Sequence, residues 1–191
     1  MNKKVIKIVA GPNGSGKTTF AESFLSKKDV PFLNPDVIAS GLGTLNFDKA
    51  SFQAGRVLLS VIIDKIQSGE CFAFETTLSG LTYANILREA KRKNYEIVIY
   101  FLFLNKVSLN IERIKRRVSL GGHNIPTQIV KRRLLRCFNN FWNIYRPLAN
   151  NWSVLDNSGN KPIVLLNKIE FSEKSASEQS VFMSHFIKGK A

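Results

Sequence analysis

Apolar residues follow two rhythms along this chain: short unbroken runs, and longer stretches in which they recur every three or four positions. Val5 to Ala10 is a short apolar run broken only by Lys7, the pattern of a buried strand. Lys17 to Ser26 reads as a helix with Phe20, Phe24 and Leu25 on one face. Residues 31–34 form a candidate second strand, closed by Pro35. From Phe47 to Gln67 the residues Phe52, Leu58, Leu59, Ile62, Ile63 and Ile66 keep helical spacing until Ser68-Gly69 stops them. A third strand runs from Cys71 to Phe74 and ends at Glu75; a helix follows over Leu81 to Lys93. Tyr95 to Leu104 is almost wholly apolar, as in a central strand covered on both faces. Two helical stretches, 107–119 and 126–146, are split by Gly121-Gly122. Trp152 to Asp156 and Ile163 to Leu166 close the pattern as two short strands around an Asn157-Ser158-Gly159-Asn160 turn.

Strands alternating with helices predict an α/β fold, a parallel sheet with helices on both faces. We expect one domain over residues 1–170 and a Ser-, Lys- and Glu-rich tail over 171–191, either disordered or docked through Val181, Phe182, Phe186 and Ile187. The length of 191 residues suits a single core. No apolar run approaches the roughly 20 residues of a membrane span. The basic start Met1-Asn2-Lys3-Lys4 leads into a stretch interrupted by Lys7, so we read a first strand rather than a signal peptide, and expect a cytoplasmic protein. Cys71 and Cys137 sit in apolar patterns without metal-ligand spacing and are expected to be buried, reduced thiols. The net charge of +14 calls for an anionic partner without saying which.

Gly11-Pro12-Asn13-Gly14-Ser15-Gly16-Lys17-Thr18 matches the phosphate-loop (Walker A) pattern G-x-x-x-x-G-K-[ST], with a strand before it and a helix after it. Glycines let successive backbone N–H groups turn toward one oxyanion, and the helix adds its positive end. Lys17 reaches the β- and γ-phosphates of ATP or GTP, the Thr18 hydroxyl coordinates Mg²⁺, and Thr19 adds an α-phosphate contact. No motif separates the two bases.

Ligands of parallel α/β sheets sit beyond the carboxyl ends of the strands, where Asp36 and Glu75 fall. Asp36 suits a general base or an orienter of an acceptor hydroxyl, and equally a helix N-cap. Glu75 suits hydroxyl binding, a contact to Mg²⁺, or a buried pair with an arginine, while Thr76 and Thr77 suit hydrogen bonds to the acceptor. Arg113, Lys115, Arg116 and Arg117 precede Gly121-Gly122-His123, and Lys131, Arg132, Arg133 and Arg136 follow. On a helical wheel Leu134, Phe138, Phe141 and Tyr145 make the packing stripe, Arg132 and Arg136 lie opposite, and Arg133 lies at the side. These cations read as an arginine-rich lid over the γ-phosphate with a Gly-Gly hinge, or as a solvated basic face. His123 suits a substrate phosphate or a helix cap.

Together with Asn34-Pro35-Asp36, Phe74-Glu75-Thr76-Thr77-Leu78-Ser79-Gly80, Arg117-Val118, Gly121-Gly122-His123-Asn124-Ile125-Pro126, Arg132-Arg133 and Asp156-Asn157-Ser158, the phosphate loop resembles the zeta toxin family of P-loop kinases, in its compact branch. The resemblance spans roughly residues 5–168. It implies a P-loop three-layer sandwich, Asp36 as base, Lys17 on the phosphates, and lid arginines on the γ-phosphate: Arg117 and Arg133 first, Arg132 and Arg136 second. It further implies a nucleotide-sugar acceptor such as UDP-N-acetylglucosamine and a small antitoxin partner, although this chain is more compact than the long members. A polynucleotide kinase or nucleic-acid-binding NTPase would use the same basic lid, and a nucleotide-regulated interaction module would keep the loop alone. A transporter-type ATPase would need an LSGGQ-like signature, to which Leu78-Ser79-Gly80-Leu81 is a poor match.

Overall fold

The computed structural model describes residues 3–25, 30–34, 37–38, 47–122 and 125–172, with the side chains of 47–52 excepted. Six strands form one sheet: β1 (Val5–Ala10), β2 (Phe32–Leu33), β3 (Phe72–Thr76), β4 (Glu96–Phe103), β5 (Asn151–Asp156) and β6 (Ile163–Asn167). Their order is β2-β3-β1-β4-β5-β6. The first five strands run parallel, and β6 returns antiparallel on β5, as the turn at 157–160 predicts. The helices are α1 (Lys17–Phe24), α2 (Phe47–Ser68), α3 (Thr82–Arg92), α4 (Val107–Ser119), α5 (Thr127–Asn140), α6 (Arg146–Leu148) and α7 (Lys168–Ser172).

Side chains alternate across a strand, and this splits the core in two. Ile6, Ile8, Phe72, Phe74, Ile97, Ile99, Phe101 and Phe103 face one layer of helices, where Leu58, Ile62 and Ile66 of α2, Ala84 and Leu87 of α3, and Leu134 and Phe138 of α5 cover them. Val9, Ala73, Leu102 and Leu155 face the other layer, met by Phe20, Ala21 and Leu25 of α1. This is the three-layer arrangement the alternating pattern predicts. Each fully buried phenylalanine here contributes roughly 2–3 kcal/mol.

Several expectations shift in detail. Phe24 is 54% exposed, because α1 ends there and the ring only lies over Phe20 and Tyr100. Ile63 is exposed and Leu59 half-buried, since α2 buries the narrower stripe Ala54, Leu58, Ile62 and Ile66. Cys71 is half-buried at the sheet's lower end, where its thiol accepts from Val5 N at 3.3 Å; Cys137 is fully buried, and both are free. The helix expected over 126–146 is α-helical only to Asn140. It then widens into a π-helical turn over Phe141–Tyr145 that keeps Phe141, Trp142 and Tyr145 buried. Phe171 of α7 is buried against Trp142 and Trp152, with ring centroids 5.2 and 5.7 Å apart. No described helix is long and apolar enough to cross a membrane.

Candidate nucleotide-binding site

The loop between β1 and α1 is held from three sides. Gly11 N donates to Thr76 O at the end of β3 (3.3 Å), and Ser15 N turns back to Pro12 O (3.2 Å). Asn110 of α4 is 1% exposed and donates its amide to Asn13 O at 2.8 Å. Asn157, just past β5, donates its amide to Ser15 O at 2.8 Å. Two glycines make these approaches possible. A Cβ on Gly14 (φ +78°) would lie 2.5 Å from Asn110 O, and one on Gly16 (φ +86°) 2.5 Å from Asn157 Nδ2. Both backbones are left-handed, where only glycine is unstrained. The buried Ser15 hydroxyl and Asn13 Oδ1 have no partner among the described residues, which fits a loop built to receive a polar ligand.

Lys17 Nζ donates to Pro12 O at 3.1 Å, which folds the ammonium over the loop. The Thr18 hydroxyl donates to the Glu75 carboxylate, 3.1 Å from Oε1 and 2.9 Å from Oε2. Glu75 is only 6% exposed. The parallel register of β1 and β3 (Val9 beside Glu75, Ala10 beside Thr76) carries the carboxylate to the mouth of the phosphate loop. A hydroxyl and a carboxylate this close are hard oxygen donors of the kind Mg²⁺ takes when phosphate and water complete its shell. Among the described residues, no group of three His, Cys, Asp or Glu side chains is placed to hold a metal by itself. Thr19 is exposed on α1.

Beyond Glu75 the chain turns through Thr76, Thr77, Leu78 and Ser79. Thr76 Oγ1 accepts from Leu78 N (3.1 Å), and the Thr77 and Ser79 hydroxyls are bonded to each other at 2.9 Å. Asp36 and His123 lie outside the described residues.

Helices α4 and α5 carry eight Arg and Lys residues and one acid, Glu112. Arg113 is half-buried, donates from Nη2 to Asn157 O at 3.0 Å, and brings Nη1 within 3.7 Å of the point where a Gly16 Cβ would stand. Arg117 is exposed, its stem packed on Gly122. Gly122 N bonds to Arg117 O (2.9 Å) and Gly121 N to Val118 O (3.0 Å). The glycine pair expected as a hinge thus serves as a Schellman cap ending α4. On α5, Arg132 and Arg136 are exposed and Arg133 is half-buried. Arg133 shares a helical face with Cys137, one turn on. Burial pushes the Cys137 thiol up, and the positive charge of Lys17 pulls the other way.

The structure thus gathers Gly11 to Thr18, Glu75, Thr76 and Thr77 at the carboxyl ends of β1 and β3. The loop is braced by Asn110, Asn157 and Arg113, none given a site role from sequence, Asn157 being read there only in the 157–160 turn and the Asp156-Asn157-Ser158 motif. Arg113 was visible only as part of a basic cluster; its distinguishing signal is its place one helical turn before Arg117. Asn110 left no signal, being one asparagine in an amphipathic helix.

No family model matches the chain. It is 34% identical over 133 residues to a protein of Haemophilus influenzae described only as uncharacterized, a match covering 70% of this chain and 94% of that one. Among solved structures, it superposes on one from the PezAT chromosomal toxin-antitoxin system of Streptococcus pneumoniae with a TM-score of 0.65 at 13% identity, over all of this chain and 81% of the other. It superposes on a chain of the AvrRxo1-ORF1:ORF2 complex with ATP with a TM-score of 0.71 at 15% identity, over 99% of this chain and 65% of that one. The chain therefore belongs to one family with the Haemophilus influenzae protein, and its fold is that of the zeta-toxin-like P-loop kinases.

Proposed function

We propose that this protein is an ATP-dependent phosphotransferase that moves the γ-phosphate to a hydroxyl of a small metabolite, a nucleotide-sugar such as UDP-N-acetylglucosamine or a related molecule. The observation that carries the reading is the Thr18–Glu75 hydrogen bond at the mouth of the phosphate loop. It joins a nucleotide-side residue to an acceptor-side strand end, the junction an in-line transfer needs. The loop amides and Lys17 hold the β- and γ-phosphates. Mg²⁺, held by Thr18 and Glu75 together with the phosphates, would offset their charge. Arg133 and Arg117 approach the γ-phosphate from the lid, Arg132 and Arg136 being further out on α5. The acceptor oxygen attacks the γ-phosphorus while the bond to the bridging oxygen breaks and ADP leaves. Asp36, three residues beyond β2, takes the hydroxyl proton, and Thr77 and Glu75 orient the hydroxyl.

The fold relationship to structures from toxin-antitoxin complexes supports a toxin role with a small neutralising partner, and the structure with ATP supports ATP as donor. The test is label transfer from γ-labelled ATP with Mg²⁺ to a panel of UDP-sugars, dinucleotides and short oligonucleotides, with Lys17→Ala and Asp36→Ala alongside. Label on a UDP-sugar in wild type, lost in both variants, is the expected outcome. Label on oligonucleotides alone would replace the metabolite reading with a polynucleotide kinase. ATP binding without any transfer would sink the kinase.

A further inference from the structure

The loop after β3 is held by residues outside the phosphate loop. Leu78 has φ +52°, a left-handed conformation that costs a leucine on the order of 1–2 kcal/mol. Its side chain is nevertheless fully buried in the main core. Such a conformation persists only where the surroundings over-determine it. Two bonds from one neighbouring segment do so. Asn140 Nδ2 donates to Leu78 O at 2.8 Å, and the Tyr145 hydroxyl donates to Gly80 O at 2.6 Å. Between these carbonyls stands Ser79, whose hydroxyl is bonded to that of Thr77.

Asn140 and Tyr145 bracket the π-helical turn. In an unbroken α-helix five residues advance 500°, so the two side chains would point about 140° apart. The wider π-turn reduces that divergence and lets both reach the same loop. Asn140 also lies two helical turns beyond Arg133, with Cys137 between them on the same face. One helix thus carries the half-buried Arg133 and, about 10 Å further on, the donor to the Leu78 turn.

We propose that Asn140 and Tyr145 are positioning residues for the phosphoryl acceptor: by holding the Leu78 and Gly80 carbonyls they keep the Thr77–Ser79 hydroxyl pair in place. The proposal rests on the phosphotransferase reading for its kinetic consequence, and on no reading for its structural one. The Tyr145 phenol stays protonated well beyond neutral pH, because burial pushes it up to about 12, so it can donate throughout the working range.

The experiment uses the full chain as wild type, Tyr145→Phe and Asn140→Ala. The phenylalanine variant keeps the ring in the core and removes one hydroxyl. Two quantities are read: amide hydrogen exchange of residues 77–80 with and without Mg²⁺-ATPγS, and KM for UDP-N-acetylglucosamine against KM for ATP. We expect exchange at 77–80 to quicken and KM for the sugar nucleotide to rise, each by on the order of tenfold from one lost buried hydrogen bond. KM for ATP and slow ATP hydrolysis to water should stay within about twofold. Unchanged exchange in both variants overturns the clamp, as does an equal rise in the two KM values. If Asn140→Ala fails to fold, Tyr145→Phe carries the test alone. Exchange is read without an acceptor, so a wild type that phosphorylates no sugar nucleotide overturns the acceptor assignment while exchange still decides the clamp.

Discussion

Two loops leave the same edge of the sheet side by side, and they keep their shapes by different means. The phosphate loop after β1 has its curvature written into its own residues: glycines stand where the backbone is left-handed and where Asn110 and Asn157 come close. The loop after β3 has a left-handed residue too, but it is Leu78, and beside the local bond to Thr76 it is held by Asn140 and Tyr145, more than sixty residues away. The first loop combines its own glycines with bracing by Asn110 and Asn157. The turn after β3 also depends on the packing of the helical segment that carries Asn140 and Tyr145. Under the proposed function, the first arrangement suits the donor nucleotide and the second the acceptor.

The comparison can be broken at either loop. The largest effect is expected for Lys17→Ala, which should lower phosphoryl transfer about 10³-fold with the fold intact, measured by label transfer beside a thermal melt. A variant retaining a tenth of wild-type activity would remove Lys17 from the phosphates. Next, Leu78→Ala should cost about 3 kcal/mol in chemical denaturation, because it empties a fully buried site. Leu78→Gly should be less harmful than Leu78→Ala by about 1 kcal/mol, the reverse of the order at an ordinary buried position, since glycine relieves the positive φ. If alanine proves the better of the two, the strain assigned to this turn is not there. Gly14→Ala should destabilise by about 2 kcal/mol and weaken ATP binding, because its Cβ meets backbone, Asn110 O, which cannot swing aside. Unaltered ATP affinity in calorimetry would show that the loop tolerates the shift. Asn157→Ala removes a single bond to Ser15 O and should cost about 1 kcal/mol, read from the same melts.

The smallest effect at ordinary pH concerns Tyr83 and Tyr145, both pushed up to about 12 by burial from an ordinary 10.0. Their folded-state values are raised, so the stability they add is complete below pH of about 10 and is lost as pH climbs through about 12. Tyr145→Phe should flatten that alkaline fall. An unchanged slope would mean that the Tyr145 phenol is not held protonated by the fold.

Much of this molecule was legible in the chain before any coordinates. The wholly apolar Tyr95 to Leu104 run becomes β4 at the heart of the sheet, since a strand covered on both faces has no polar side to show. The glycine-rich turn between β1 and α1 was legible too, and its Gly14 and Gly16 take left-handed backbone there. The α5 stripe was legible as well: Leu134, Phe138, Phe141 and Tyr145 are all buried as their spacing requires. The sequence pattern did not distinguish the α-helical part of that stripe from its π-helical end, because both spacings put Phe141 and Tyr145 on the inner side.

What the chain by itself determined is the alternation of strands and helices, the position of the glycine-rich loop and the basic character of α4 and α5, because hydrophobic period, glycine placement and basic clustering are properties of neighbours in sequence. What only the tertiary structure decided is which side chains are brought to that site from afar: Arg113 rather than another of eight cations to the Asn157 carbonyl, Glu75 to the Thr18 hydroxyl, Asn140 and Tyr145 to the Leu78 turn. Those choices depend on strand order, parallel register and the winding of one helix. No residue's local preference carries that information, since each of these hydrogen bonds joins groups at least forty positions apart in the chain.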